Sequence, residues 1–234
     1  MKRIKVLIPF FKETAKLERC LKHLNSSFFK DFETVVNDDT ETKLGFTASV
    51  NKMVKESLLK GHQYLLVLNQ DCYLSPEALT ELATFMDKRP NCAFAGCKQT
   101  MEDGDRITHG GTKDCFPSGI HEGGSVKRGD CGKDKRVPWV NGACFIARVD
   151  AILEIGIMDH NFKMFGSDSD WGYRARLAGW TCGYASKAVC VHEQGASKAG
   201  DKVNMLAIET DMRYFRDKWI SGECYRDLSL EVFR

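Results

Sequence analysis

The sequence predicts an α/β fold in which a mostly parallel sheet is covered by helices. Three observations predict it: short apolar runs rich in β-branched residues, helical periodicity between those runs, and polar residues placed directly after the runs. Ile4–Phe11 is the first run, ended by Lys12-Glu13, and reads as a buried strand. From Thr14, Leu17, Cys20, Leu21 and Leu24 recur at spacings of three and four and mark a helix. Phe32–Val36 is a second strand, followed by the polar segment Asn37-Asp38-Asp39. Phe46–Lys60 is a second helix with Val50, Met53, Val54 and Leu58 on one face, closed by Gly61. Tyr64–Leu68 is a third strand and runs straight into Asn69-Gln70-Asp71. Ser75-Pro76-Glu77 opens a third helix with a serine cap and a proline in the first turn. Cys92–Gly96 is a fourth strand. In sheets of this kind ligands bind beyond the carboxyl ends of the strands, so the residues after each strand are the candidates for chemistry.

The second half is less regular. Residues 100–135 are rich in Gly, Asp and Lys with little periodicity, as in a long functional loop. Val137–Val149 has a strand pattern, Asp168–Leu177 a helical one ended by Gly179, and Thr181–Ala185 and Ala188–His192 read as two short strands. A last helix is expected over Val203–Trp219, with Met205, Ile208, Met212, Phe215 and Trp219 as its apolar stripe. With no repeat or linker, the chain reads as a single domain over 1–219 and a tail over 220–234.

Composition narrows the function. Apolar residues make up 43% of the chain, enough for a sizeable core, and 34 basic against 32 acidic residues give a net charge of +2. That balance excludes a strongly basic nucleic-acid binder or an acidic tail. Ten cysteines occur without any C-x-x-C pair, which argues against a zinc ribbon or a thioredoxin-like motif. Several lie inside apolar runs, as buried free thiols do in reducing compartments. The opening apolar run is too short for a signal peptide, and no run spans a bilayer, so a cytoplasmic protein is expected.

The carboxylates carry the chemistry. Asp71 lies just past a strand with Asn69 in front of it, a place where one carboxylate and one amide can hold magnesium or manganese against a diphosphate. The same residue types also favour a plain turn. Asp168 and Asp170 stand at a helix start, where they can cap free N–H groups or supply a base. Residues two apart on a helix point in different directions, so the two do not share one job. His192 ends a β run and is either structural or a metal ligand. Gly142 permits close backbone approach, and Trp139 and Trp171 either stack on a sugar or anchor the core.

Read together, these segments resemble the family 2 glycosyltransferases of GT-A fold, with a rhamnosyltransferase-like variant of the motif. The resemblance rests on Val6-Leu7-Ile8-Pro9-Phe10-Phe11, on Gly45-Phe46 through Asn51, on Leu68-Asn69-Gln70-Asp71, and on Val140-Asn141-Gly142-Ala143. It rests further on Gly156-x-Met158-Asp159 followed by Phe162, Phe165, Asp168-x-Asp170, Arg174 and Ala178-Gly179-Trp180. It covers roughly residues 4–219 and implies a nucleotide-sugar half over 1–99, an acceptor half over 100–219 and a smaller mixed sheet on the acceptor side. The resemblance implies an inverting transfer from a UDP- or dTDP-type sugar to a glycan or glycoconjugate hydroxyl. On it, Asp71 and His192 hold Mn2+ or Mg2+, and Asp168, with Asp170 second, is the base. Pro9, Phe11, Asn37, Asp38, Gly45, Asn51, Asn69 and Gln70 line the donor, and Trp139, Asn141, Gly142 and Trp171 the acceptor. The chain departs from the family in having Asn37 where an Asp is usual, Lys12-Glu13 for Asn-Arg, and Ser167 for the Glu before the base. Rival readings are a transferase acting on hydroxymethylated DNA bases through the Lys113–Arg136 loop, a nucleotidyltransferase, and a non-catalytic carbohydrate binder. The segment after the first strand, FFKET, lacks the glycines a triphosphate loop needs, against the nucleotidyltransferase.

Overall fold

A computed structural model describes residues 2–104, 106–112, 126–127, 131–193 and 202–221 of the chain. Strands β1 (Ile4–Phe10), β2 (Phe32–Asp38) and β3 (Tyr64–Leu68) run parallel, with Ile4 level with both Phe32 and Tyr64. Alternation along β1 sends Ile4, Val6 and Ile8 to one face of the sheet and Leu7 to the other. Helix α1 (Thr14–Asn25) covers the first face with Cys20 and Leu24. Helix α2 (Phe46–Ser57) covers the second with Val50, Met53 and Val54. The apolar positions read from the sequence are therefore the ones that pack. Helix α3 (Ala78–Asp87) joins α1 on the first face.

The sheet is mixed and continuous. Its order is β2-β1-β3-β9-β5-β10-β4, where β4 is Cys72–Leu74, β5 Cys92–Thr100, β9 Cys144–Arg148 and β10 Thr181–His192. β9 inserts antiparallel between β3 and β5, β10 runs parallel to β5, and the short β4 closes the edge antiparallel to β10. Strands β6 (Arg106–His109), β7 (Val126–Lys127) and β8 (Lys135–Val137) branch from this sheet. The expected smaller acceptor-side sheet is thus an extension of the main one. β-α alternation reports neighbours in sequence and is blind to a later strand that inserts between them.

Three local readings change for physical reasons. Val137–Val149 is not one strand: β8 and β9 are separated by the turn carrying Trp139 to Ala143, and Val149 starts the short helix α4 (Val149–Ile155). The two short strands expected near the end are one strand, β10, whose pairing with β5 shifts between Ala185 and Val189. Ser186 sits at that shift, where its N–H and hydroxyl both donate to Asp134. Third, β5 continues past Gly96 to Thr100, so polar residues extend a strand expected to stop earlier.

Helix α5 (Ser167–Leu177) packs Trp171 and Ala175 onto the second face. Helix α6 (Lys202–Trp219) packs outside α5, where Phe215 and Trp219 meet Trp139, Phe162 and Tyr173. No helix among the described residues is long and apolar enough to cross a membrane. The eight described cysteines are buried, and none is in a disulfide.

Candidate active site

The polar segments singled out after β1, β2 and β3 converge at one end of the sheet. Gln70 is buried and clasps Phe11: its Oε1 accepts the Phe11 N–H at 2.6 Å and its Nε2 donates to the Phe11 carbonyl at 3.0 Å. It therefore fixes the loop after β1, leaving the Phe11 ring 44% exposed at the site's edge. Pro9 pairs with Asn37 across β1 and β2. Asn37 is buried, donating to Ser49 Oγ and accepting from Lys52 Nζ, both at 2.8 Å. Asp38 is exposed, and a hydrogen bond from Thr40 holds its carboxyl below the usual range. Gly45 opens α2 at φ 90°, where an added Cβ would stand 3.0 Å from the Lys163 carbonyl.

Asn51 does not reach the site. Both ends of its amide clasp the Met158 backbone, at 2.9 and 3.0 Å, so it locks α2 to the loop after α4. An Asn in α2 has the right chemistry to line a nucleotide sugar, but its two hydrogen bonds commit it elsewhere. Asp39, which lies in the candidate segment but was not among the expected donor residues, is the organiser of the β2–α2 loop: its carboxylate accepts from the Thr42 hydroxyl and from the Leu44 and Gly45 N–H groups.

Asp71 and His192 are brought together from distant parts of the chain. β4 and β10 pair antiparallel, with His192 level with Cys72, and the Glu193 N–H donates to the Asp71 carbonyl. His192 Nε2 lies 3.6 Å from Asp71 Oδ1. The Cys72 thiol stands within 4.8 Å of both ligand atoms. Burial pushes the Asp71 carboxyl up against the opposing pull of His192, and burial pushes His192 down against the pull of Asp71.

The tautomer of His192 follows from a chain of hydrogen bonds anchored on a backbone group. The Ala143 N–H donates to Asn141 Oδ1 at 3.0 Å, which identifies that atom as the oxygen. Gln99 Nε2 donates to the same oxygen at 2.8 Å, so Gln99 Oε1 is the atom facing His192 Nδ1 at 2.9 Å. An amide oxygen only accepts, so Nδ1 carries the proton. A neutral imidazole then presents the bare Nε2 lone pair to a carboxylate oxygen. Two acceptors facing each other with no proton between them form a cation gap. Asn69 Oδ1, two residues before Asp71 in the chain, is buried without a hydrogen-bond partner. These donors are oxygen and imidazole nitrogen, the set that suits Mn2+ and is compatible with Mg2+. The residues present fit a divalent ion.

The base candidates separate cleanly. Asp170 is fully buried and receives Arg174 Nε, Lys218 Nζ and Trp219 Nε1 at 2.6–2.9 Å. No substrate hydroxyl reaches it, so it acts as the anchor of α6. Asp168, one residue into α5, is half-buried. Its Oδ2 accepts the Gly142 N–H at 2.7 Å and its Oδ1 the Ser169 N–H at 2.8 Å. Gly142 allows this contact because an added Cβ would meet Asp168 Oδ2 at 3.1 Å and the Phe46 ring at 3.3 Å.

Neither tryptophan offers an open ring face. Trp171 is 1% exposed, tilted on Phe94 at 4.7 Å, with its N–H given to the Gly156 carbonyl. Trp139 is buried among Phe162, Tyr173, Phe215 and Trp219. Both serve the core, and their indole rings were the residue type that suggested sugar stacking. Of the basic loop considered for nucleic acid, Lys113 and Arg128 lie outside the described residues.

The fold is that of GT-A glycosyltransferases. GalNAc-T7, solved with UDP, GalNAc and Mn2+, aligns with a TM-score of 0.67 at 14% identity, over 92% of this chain and 50% of that one. The mannosyltransferase PcManGT of Pyrobaculum calidifontis, solved with GDP-Man and Mn2+, aligns with a TM-score of 0.64 at 12% identity, over 94% of this chain and 64% of that one. TarS of S. aureus aligns at 0.64 and 16% identity, over 95% and 40%.

The chain belongs to glycosyl transferase family group 2, whose sequence model matches residues 64–227. It is also similar to N-acetylglucosaminyl-diphospho-decaprenol L-rhamnosyltransferase of Mycobacterium tuberculosis, 30% identical over 81 residues. That match covers 35% of this chain and 26% of the relative's length.

Proposed function

We propose that the chain transfers a sugar from a nucleoside diphosphate to an acceptor hydroxyl with inversion, using Asp168 as general base. The observation that carries this reading is the run of polar groups in which Asp71 faces His192, His192 is held by Gln99 and Gln99 by Asn141, while Gly142, next in the chain, donates to Asp168. It brings a cation gap and a half-buried carboxylate to one end of the sheet, although the residues come from five separate stretches of sequence.

Asp71, His192 and Asn69 would hold the divalent ion, which when bound neutralises charge on the departing diphosphate. The other steps belong to the protein. The Gly142 and Ser169 N–H groups hold the Asp168 carboxylate in one orientation. Asp168 takes the proton of the acceptor hydroxyl as its oxygen bonds to the anomeric carbon. The bond from that carbon to the diphosphate oxygen breaks, and the nucleoside diphosphate carries the electron pair away. Asn37 and Asp38, the last two residues of β2, would face the nucleobase, and the exposed Phe11 would provide a stacking face. The acceptor in this reading is a glycan or glycoconjugate, in keeping with the similarity to a mycobacterial N-acetylglucosaminyl-diphospho-decaprenol L-rhamnosyltransferase.

The test is a turnover assay that identifies products. Asp168→Asn is expected to lower kcat by about 10²–10⁴-fold while leaving donor binding nearly intact. Undiminished turnover in that variant sinks the base assignment. Release of pyrophosphate in place of a nucleoside diphosphate sinks the sugar-transfer reading.

A further inference from the structure

Behind the donor site, four cysteines converge on one face of the sheet. Cys144, Cys97, Cys190 and Cys72 lie on β9, β5, β10 and β4, which are consecutive strands of the sheet. All four are at most 1% exposed, in the core under α1 and α3. Cys97 and Cys190 Sγ are 3.3 Å apart, and the sulfurs of Cys97, Cys144 and Cys190 all lie within 4.8 Å of one another.

Sheet geometry alone does not produce that cluster. Adjacent strands are about 4.8 Å apart, so β9 and β10, which flank β5, are separated by roughly 9.5 Å. The Cys144 and Cys190 sulfurs nevertheless approach within 4.8 Å, so both side chains lean over β5 toward Cys97. Tetrahedral zinc with bonds of about 2.3 Å holds its sulfurs about 3.8 Å apart, inside the range this cluster spans. Cys72, on the next strand, interacts with Cys190 from outside that 4.8 Å cluster, so its thiol would have to turn inward to complete four ligands.

We propose that Cys97, Cys144 and Cys190, with Cys72 as the fourth ligand, form a structural site for a thiophilic cation of the zinc class. Thiolates select such an ion over Mn2+ and Mg2+, so this site and the oxygen-and-imidazole donor site take different metals. Binding releases the thiol protons to solvent and ties β9, β5, β10 and β4 together. The three-residue β4 needs such a tie most, because it is an edge strand paired only through Cys72, Tyr73 and Leu74. Asp71 immediately precedes β4 and His192 ends β10, so an ion here would stiffen the frame of the donor site.

The experiment uses the whole chain. Protein isolated from zinc-supplemented cultures is expected to carry about one zinc per chain by elemental analysis. Cd2+ added to metal-depleted protein is expected to raise a thiolate-to-metal charge-transfer absorption that Mn2+ does not displace. The absorption should vanish in Cys97→Ala and Cys190→Ala and persist when Asp71→Asn and His192→Ala are combined. Wild-type protein with neither zinc nor a cadmium absorption overturns the proposal, whichever variants fold. So does an absorption lost only in the Asp71 and His192 variant, since the ion would then sit with Cys72 at the donor site.

Discussion

Gln99 is the residue whose role depends least on its own chemistry and most on its two neighbours. Its amide is oriented by Asn141, which is itself oriented by the Ala143 N–H, and it passes that polarity to His192. Groups that hold a ligating histidine by its second nitrogen typically change metal affinity by about 10–100-fold when removed. Gln99→Leu is therefore expected to weaken Mn2+ binding by that factor, measured by titration of free Mn2+ without any donor or turnover. Gln99→Glu still accepts the Nδ1 proton and should recover much of the loss, although it no longer donates to Asn141. Equal affinity in the leucine variant would show that His192 is not held as a ligand by this chain. Asp71, His192, Asn141 and Gly142 were legible in the sequence because each stands at the end of a strand or in a turn. Gln99 was not, because β5 was expected to stop at Gly96, which left it in a loop. Trp139, Trp171, Asn51 and Asp170 show the opposite failure. Their residue types suggested chemistry, and only burial shows that their rings, amide and carboxylate are already committed.

At the scale of elements, α5 is placed by contacts on both sides. Toward the sheet, Gly172 packs on Trp139: a Cβ there would lie 2.6 Å from the Trp139 Cβ and 2.8 Å from its Cα. That close approach brings the start of α5, and with it Asp168, against Gly142. On the outer side, Asp211 of α6 is fully buried and accepts the N–H groups of Lys163, Met164 and Phe165, the segment that leads into α5. The Lys163 carbonyl in turn receives the Thr47 N–H from α2. One carboxylate on the last helix thus orders the segment that joins the two halves of the site. Asp211→Ala strands several buried donors and is expected to cost about 2–4 kcal/mol in chemical denaturation. Asp211→Asn keeps one acceptor and should cost less. A loss within experimental scatter for the alanine variant would contradict this role. The sequence held a signal for it, since Asp211 falls on the same side as Ile208, Met212 and Phe215. An acid inside an apolar stripe must find buried donors, but the stripe does not say which.

For the whole molecule, the N-terminal β-α units were legible because each buries its own neighbours. The insertion of β9 was not, because its pairing with β3 and β5 spans long stretches of chain and leaves no periodic trace. The attachment of α6 belongs to the same class of long-range contact, and it carries the fold's dependence on acid. Asp159 accepts from Lys218 Nζ at 2.7 Å, the Tyr214 hydroxyl at 2.8 Å and the Asn161 N–H at 3.0 Å. Burial raises its carboxyl, but these donors outweigh burial and hold it well below the usual range. Lys218 is lowered by burial and raised, in net, by Asp170 and Asp159. A carboxyl depressed in the folded state binds its proton more tightly when unfolded. Its contribution is therefore complete above the unfolded value of about 3.9 and is lost as pH falls toward the folded one. The lysine runs the other way: its contribution is complete below its unfolded value of about 10.4 and is lost only as pH rises through the higher folded one. Between about pH 5 and 9 both groups hold α6 in place, and acid releases the Asp159 side first. Denaturation curves across pH 2–7 should show the wild type losing stability more steeply below about pH 4 than Asp159→Asn, with the two profiles converging at the acid end. Parallel profiles would mean that the carboxylate of Asp159 is not what ties the last helix to the loop before α5.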